Sequence, residues 1–223
     1  MDKISEYFPV WNKLTLQQQR KFSDNAVEKT FKKGEKVHEG SSECTGVLLV
    51  TKGRLRVYIV TEEGKEITLY RLFERDMCLL SASCIINSLQ FDVTVSAEED
   101  SVIINVPADV YKGIMSENAA AANYTNEIMA SRFSEVMWVL DQVLSKKLDT
   151  RVAALLLEES ELSEDGIITL THEQLANHIG SAREVVTRML KYFQNEGLVK
   201  LSRGSIEITD KKRLSETAYP SMR

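Results

Sequence analysis

Histidine, cysteine and proline occur only three times each in this chain. The odd set of cysteines, Cys44, Cys78 and Cys84, provides no disulfide framework. His38, His172 and His178 are scattered along the sequence. A barrel metalloenzyme needs several histidines or carboxylates converging on one ion, and no such cluster is legible. Long apolar runs are missing as well. The aliphatic stretch at GVLLV (46–50) is far short of the roughly 20 residues that span a bilayer. The N-terminus, MDKISEYFPVWNKL, has no apolar core of a secretory signal. What remains is an ordinary globular composition, 43% hydrophobic and 27% charged, with a cytoplasmic location, no membrane contact and no enzymatic activity expected.

A net charge of −5 argues against indiscriminate coating of nucleic acid, but the charge is uneven. Residues 1–144 carry 16 Lys+Arg against 21 Asp+Glu, whereas residues 171–213 carry 8 against 5. A basic segment on an acidic protein fits a local anionic partner, although a solvated face has the same composition.

Residues 20–108 read as β structure. Gly34, Gly40, Gly46, Gly53 and Gly64 punctuate short β-rich runs such as VLLV, RLRVYIV and EITLYRL. In RLRVYIV, Leu55, Val57 and Ile59 alternate with Arg54, Arg56 and Tyr58, the pattern of a half-buried strand. Many short strands with regular turns predict an antiparallel barrel or jelly roll.

From about Asp109 the period becomes helical. Met129, Phe133, Val136, Leu140 and Val143 follow a 4-3-4-3 spacing, a heptad seam that packs either on the barrel or on a second copy of the chain. The polar SKKLDTR (145–151) interrupts this stripe and reads as a hinge. Beyond it, THEQLANHIG opens with Thr171 and Gln174 in capping-box spacing and closes at Gly180. Ser181 and Glu184 repeat that spacing and start another helix at once, which predicts a helix-turn-helix. LVKLSRGSIEIT then supplies a wing-sized hairpin across Arg203-Gly204.

In IGSAREVVTRMLKYF (179–193), Val186, Met189, Leu190 and Phe193 form one face. Arg183, Glu184, Thr187, Arg188 and Lys191 form the other. Cations crowd the end of a helix whose dipole favours anions. Glu184 and Arg188 also have the spacing of an i, i+4 ion pair, so a merely solvated face is the competing reading.

Barrel, long helix and winged helix-turn-helix follow one another in the order of Crp/Fnr transcription regulators, which the chain resembles over about residues 20–213. GSAREVVTRML carries the most specific likeness, with KGRLRVY…EEGKEITL as softer support. The resemblance implies an α+β protein of four parts. These are an N-terminal antiparallel β-roll or jelly roll of cyclic-nucleotide-binding type with an N-terminal helix (1–108), a long dimerisation helix (109–144), a hinge (145–149) and a winged helix-turn-helix (150–223). It implies a homodimer that binds palindromic double-stranded DNA, with RNA polymerase as a further partner.

By the resemblance, Arg183 and Arg188 would read guanines and Glu184 a cytosine, as their hydrogen-bonding geometry allows. Thr171, Ser181, Thr187, Lys191, Ser202 and Arg203 would contact backbone or auxiliary groups. The competing classes are a jelly-roll binding or metal-dependent enzyme domain and a module whose SAREVVTRML docks a protein.

The signal is less legible. Cyclic-AMP binders of the family carry a Gly-Glu-Leu helix and an Arg-Ser pair. Here Leu80 stands at the glutamate's place and Phe91-Asp92 at the pair's, so cyclic AMP is not expected. The iron–sulfur branch needs four thiolates, and no cysteine lies near the N-terminus. MCLLSASC (77–84) is similar to a stretch of the family's carbon-monoxide-sensing haem regulator, with Cys78 matching a cysteine and Leu80 replacing the haem histidine. Haem on Cys78, a thiol switch at Cys78 and Cys84, and simple packing of both are the alternatives. An apolar effector pocket lined by Leu79, Leu80, Ile85 and Met137 is compatible with the last.

Overall fold

In the computed structural model, residues 2–40, 45–85 and 92–219 are described, except the side chains of residues 2, 3 and 83–85. Cys44, the Cys84 and Ile85 side chains and Phe91 therefore lie outside the described residues.

Helices α1 (Asp2–Tyr7) and α2 (Leu16–Asn25) precede the sheets. Helix α2 starts where Thr15 and Gln18 cap each other: the Gln18 N–H donates to Thr15 Oγ1 (3.2 Å) and the Thr15 N–H to Gln18 Oε1 (3.0 Å). Eight strands follow: β1 (Val27–Phe31), β2 (Lys36–Glu39), β3 (Val47–Lys52), β4 (Leu55–Val60), β5 (Glu66–Leu72), β6 (Met77–Cys78), β7 (Thr94–Ala97) and β8 (Ser101–Val106). They form two sheets, ordered β1-β8-β3-β6 and β2-β7-β4-β5, the antiparallel β-roll expected from the alternation and the glycines.

Strand β3 is apolar from Val47 to Val50 because both of its faces are covered there. Leu48 and Val50 join Leu55, Val57, Val95 and Ile103 between the sheets. Val47 and Leu49 join Phe8, Phe22, Tyr111 and Ile114 beneath the helices. Strand β4 departs from the half-buried expectation. Arg56 and Tyr58 are buried too, with the Arg56 guanidinium 4.3 Å from the centre of the Tyr58 ring, a cation–π contact that lets the charge be covered. Gly53 makes the β3–β4 turn at φ +87°, and a Cβ there would come within 2.4 Å of Ser101 Oγ.

The single helix expected over 109–144 is two: α3 (Ala108–Glu117) and α4 (Ala119–Ser145). Asn118 divides them, because its Oδ1 accepts from the backbone N–H groups of Ala120 (3.0 Å) and Ala121 (3.1 Å) and so caps α4. Helix α4 ends at Ser145 and α5 (Leu148–Leu162) starts after Lys146 and Lys147, inside the stretch read as a hinge. Next come α6 (His172–His178), α7 (Arg183–Asn195), β9 (Val199–Ser202), β10 (Ser205–Ile208) and α8 (Lys211–Ala218). Helix α8, not foreseen, is capped by Asp210, whose Oδ1 accepts from the Arg213 N–H at 3.0 Å.

The chain forms two compact units, residues 1–59 with 69–136, and residues 60–68 with 137–223. The boundary falls within α4, before the expected hinge. In the first unit, Arg132 of α4 bonds Glu135 (2.8 Å), reaches Asp76 (3.4 Å) and lies 4.7 Å over the Tyr70 ring.

The exposed apolar stripe of α4 overlaps the expected heptad set without coinciding with it. Met129 and Val136 pack partly against the barrel core. Phe133, Met137, Leu140 and Leu144 form the exposed stripe, again at 4-3-4 spacing, with Phe133 67% and Leu144 75% exposed. Val143 flanks it, also exposed.

Candidate nucleic-acid interface

Helix α7 has two faces, as its period requires. Val186, Leu190 and Phe193 are fully buried among Val152, Leu156, Leu175 and Ile206. Burial of such side chains stabilises by about 1.5–3 kcal/mol each, enough to fix the helix's rotation. Met189 packs at the edge of the same cluster. Arg183, Glu184, Arg188 and Lys191 are exposed and Thr187 is half-buried. Among the described residues, no ion pair or side-chain hydrogen bond engages Arg183, Glu184, Arg188 or Lys191. The i, i+4 pair that would explain Glu184 and Arg188 as a self-satisfied surface is therefore not formed.

The preceding turn is built by capping. Thr171 and Gln174 form the expected reciprocal box on α6, with N–H to oxygen distances of 3.2 and 2.9 Å, so the Thr171 hydroxyl is already occupied. The second expected box is absent. Ala182, not Ser181, is the N-cap of α7 and makes no side-chain bond. The reason is local: Gly180 at φ +63° and the Ser181 N–H bonded to Ala176 O (2.9 Å) complete the turn, so α7 begins one residue later. Its first-turn amides are left without a side-chain cap.

Two positioning residues escaped the sequence reading. Arg151, placed there in the hinge stretch, donates through Nη2 to the backbone carbonyl of Ile179 at the end of α6. His172, only one of three scattered histidines in the sequence, has its Nδ1 2.9 Å from Thr187 Oγ1 on α7. Burial first, then Arg183 and Lys191, hold the His172 pKa below its ordinary value. His178 is buried, 3.0 Å from Thr68 Oγ1. The wing pairs Ser202 with Ser205 across Arg203-Gly204, leaving Ser202 and Arg203 exposed.

In the first unit, Cys78 and Leu80 are buried between the sheets, and Cys78 pairs with Leu48 across β6 and β3. Burial pushes the Cys78 thiol above its usual range. The neighbouring Tyr70 hydroxyl is buried without a well-formed hydrogen bond, and burial raises its pKa further still. Met137 is exposed on α4.

Residues 150–217 match the Crp-like helix-turn-helix domain and residues 28–118 the cyclic nucleotide-binding domain. The chain is 56% identical to a Crp/Fnr-family transcriptional regulator from Eubacterium rectale ATCC 33656. That alignment covers 96% of this chain and all of the solved structure, with a TM-score of 0.94. The chain belongs to the Crp/Fnr family.

A Crp/Fnr-family regulator from Thermus thermophilus is 25% identical, over 86% of this chain and 98% of that one, with a TM-score of 0.68. The fumarate and nitrate reduction regulatory protein of Yersinia pestis is 25% identical over 208 residues, 87% of this chain and 80% of that protein. The protein is a DNA-binding transcription regulator with a β-roll of cyclic-nucleotide-binding type.

Two ligands considered for the family, cyclic AMP and an iron–sulfur cluster, find no matching residues here. Asp92, which the resemblance sets at the serine of the Arg-Ser pair, is exposed, and its carboxylate would repel a cyclic phosphate there. The partly buried Arg54 and buried Arg71 converge instead on Glu98, at 2.9 and 2.8 Å. Four cluster-binding thiolates exceed the chain's three cysteines. Cys78 is fully buried in a packed core, and that burial raises the pKa of its thiol, whereas a cysteine ligand to haem is a thiolate. Among the described residues no group of three His, Cys, Asp or Glu side chains is placed to hold a metal. No described helix is long and apolar enough to cross a membrane.

Proposed function

We propose that two copies associate along Phe133, Met137, Leu140 and Leu144 and present paired α7 helices to a palindromic site. The observation that carries the DNA reading is the division of α7: a fully buried apolar face holds the helix while Arg183, Glu184 and Arg188 stand exposed without an intramolecular ion pair. Arginine pairs bidentately with guanine O6 and N7, and glutamate accepts from cytosine N4. Thr187, Lys191, Ser202 and Arg203 contact phosphates or thymine methyls, and the uncapped first turn of α7 offers amides to a phosphate. Ser181 lies beside that turn in an auxiliary position, and Thr171 supports it through its capping bond.

The protein works in the cytoplasm, contacts RNA polymerase and catalyses no reaction. Its β-roll responds to an effector other than a cyclic nucleotide, with Cys78 and Leu80 as packing residues of the sensing core. The break at Lys146–Lys147 is the joint through which a population shift re-aims the DNA-binding part.

Arg188→Ala tests the base reading. It is expected to cost about 1–3 kcal/mol on the selected palindrome and to relax preference at one G·C pair. Unchanged affinity and preference in a band-shift titration would remove Arg188 from base readout.

A further inference from the structure

A part-buried contact beside α7 joins His172 and Thr187. Thr187 occupies the middle of a row, Arg183–Thr187–Lys191, spaced four residues apart and therefore on one line along α7. His172 abuts the centre of that row from α6, with Nδ1 at 2.9 Å from Thr187 Oγ1. Among the described residues nothing bonds its Nε2. The ring is neither a buried core histidine nor a free surface one. It is held at the edge of the face that the DNA reading turns toward phosphates.

The charges facing it are Arg183 and Lys191, both from α7, and both disfavour a proton on the ring. Glu173, the adjacent acid on α6, is exposed and does not counter them. From α5, which packs behind α6, Arg151 is engaged by the Ile179 carbonyl. No acid on these elements therefore holds a proton on the imidazole in the free protein. Duplex DNA reverses this balance, because its phosphates neutralise Arg183 and Lys191 and bring negative potential to the same face.

We propose that His172 is a proton-linked DNA contact: neutral in the free protein, it takes up a proton as α7 engages the duplex and adds a cation beside the phosphates. This rests on the reading of α7 as the DNA-facing helix and adds a residue and a regulation to it. The proton comes from solvent, binds at Nε2 and leaves Nδ1–H to donate to Thr187 Oγ1. DNA affinity then rises as pH falls through the neutral range, once per protomer. An arginine at this position would contribute its charge at every pH, whereas a histidine makes the contact conditional.

The test is fluorescence anisotropy of the full-length protein on its selected palindrome between about pH 8 and about pH 6, at fixed salt. It is joined by calorimetry in buffers of different ionisation enthalpy. Wild type should gain about tenfold or more in affinity over that range, since one pKa unit of linkage is worth a factor of ten per site, and should take up protons on binding. His172→Gln keeps a hydrogen-bonding partner for Thr187 but cannot titrate; it should lose the pH slope and the proton uptake. His172→Arg should bind tightly with little pH dependence. The proposal is overturned if His172→Gln retains the wild-type slope, or if wild type binds with no slope. In the latter case the DNA reading stands, whereas no binding at any pH sinks both.

Discussion

Arg151, at the start of α5, donates its guanidinium to the backbone carbonyl of Ile179, the residue that ends α6. The two are 28 positions apart in sequence. The bond closes the helix-turn-helix from behind, satisfying a carbonyl that the end of α6 would otherwise leave unpaired. Burial lowers the Arg151 pKa, but the group remains a cation and its bond is charge-assisted.

Arg151→Met should therefore remove about 1–3 kcal/mol from the winged helix-turn-helix, the cost of leaving a covered carbonyl without its donor. DNA affinity should fall with it, because the turn that aims α7 is loosened. Urea unfolding, read alongside anisotropy on the palindrome, checks both. A variant as stable and as tight-binding as wild type would show that the turn is held by packing alone.

The exposed stripe of α4 makes a prediction that separates the proposed seam from the one expected from the sequence. Leu144→Asp places a charge on a residue that is 75% exposed in one chain, so it should leave the protomer's fold intact and abolish the dimer. Met129→Ala should instead loosen the barrel core, where Met129 packs, and leave association largely in place. Sedimentation velocity over a concentration series measures the first and thermal unfolding the second. Dimers of Leu144→Asp with wild-type affinity would place the interface elsewhere.

These contrasts show what the sequence could reveal and what it could not. Alternation and glycine turns announced the β-roll, and helical period alone separated the two faces of α7. A 4-3-4 spacing announced an apolar stripe on α4. It could not say which of two overlapping stripes, 129-133-136-140-143 or 133-137-140-144, would face the barrel, because that depends on where α4 docks. Met137 was accordingly read as an effector-pocket residue and Leu144 passed over. Arg151 and His172 were missed for a related reason. Their partners lie 28 and 15 residues away, and no periodicity encodes a contact between helices. Asn118 and Ser181 show the local limit: both residue types cap helices, and only the turn geometry decided that Asn118 does so and Ser181 does not.

His38 contributes to the acid limb of stability. It is buried in the β-roll with Nδ1 2.6 Å from Thr45 Oγ1; burial lowers its pKa, and Asp92 only partly opposes this. The unfolded chain, titrating near the ordinary histidine value of about 6.5, binds the proton more readily than the native one. Stability contributed by neutral His38 is thus fully present above about pH 6.5 and lost progressively below it. The urea midpoint should drop between about pH 7.5 and about pH 5.5, and the drop should shrink in His38→Gln. An equal drop in both proteins would assign the acid sensitivity to other groups.

The most direct test of the account is selection of duplexes from a randomised pool by the wild-type protein, at low salt and then at physiological salt. The account predicts enrichment of a two-fold palindrome containing G·C pairs in each half, with half-site centres about 10–10.5 base pairs apart, one helical turn, as two symmetric recognition helices require. Recovery of no sequence above background, or of a single unrepeated half-site, would contradict it.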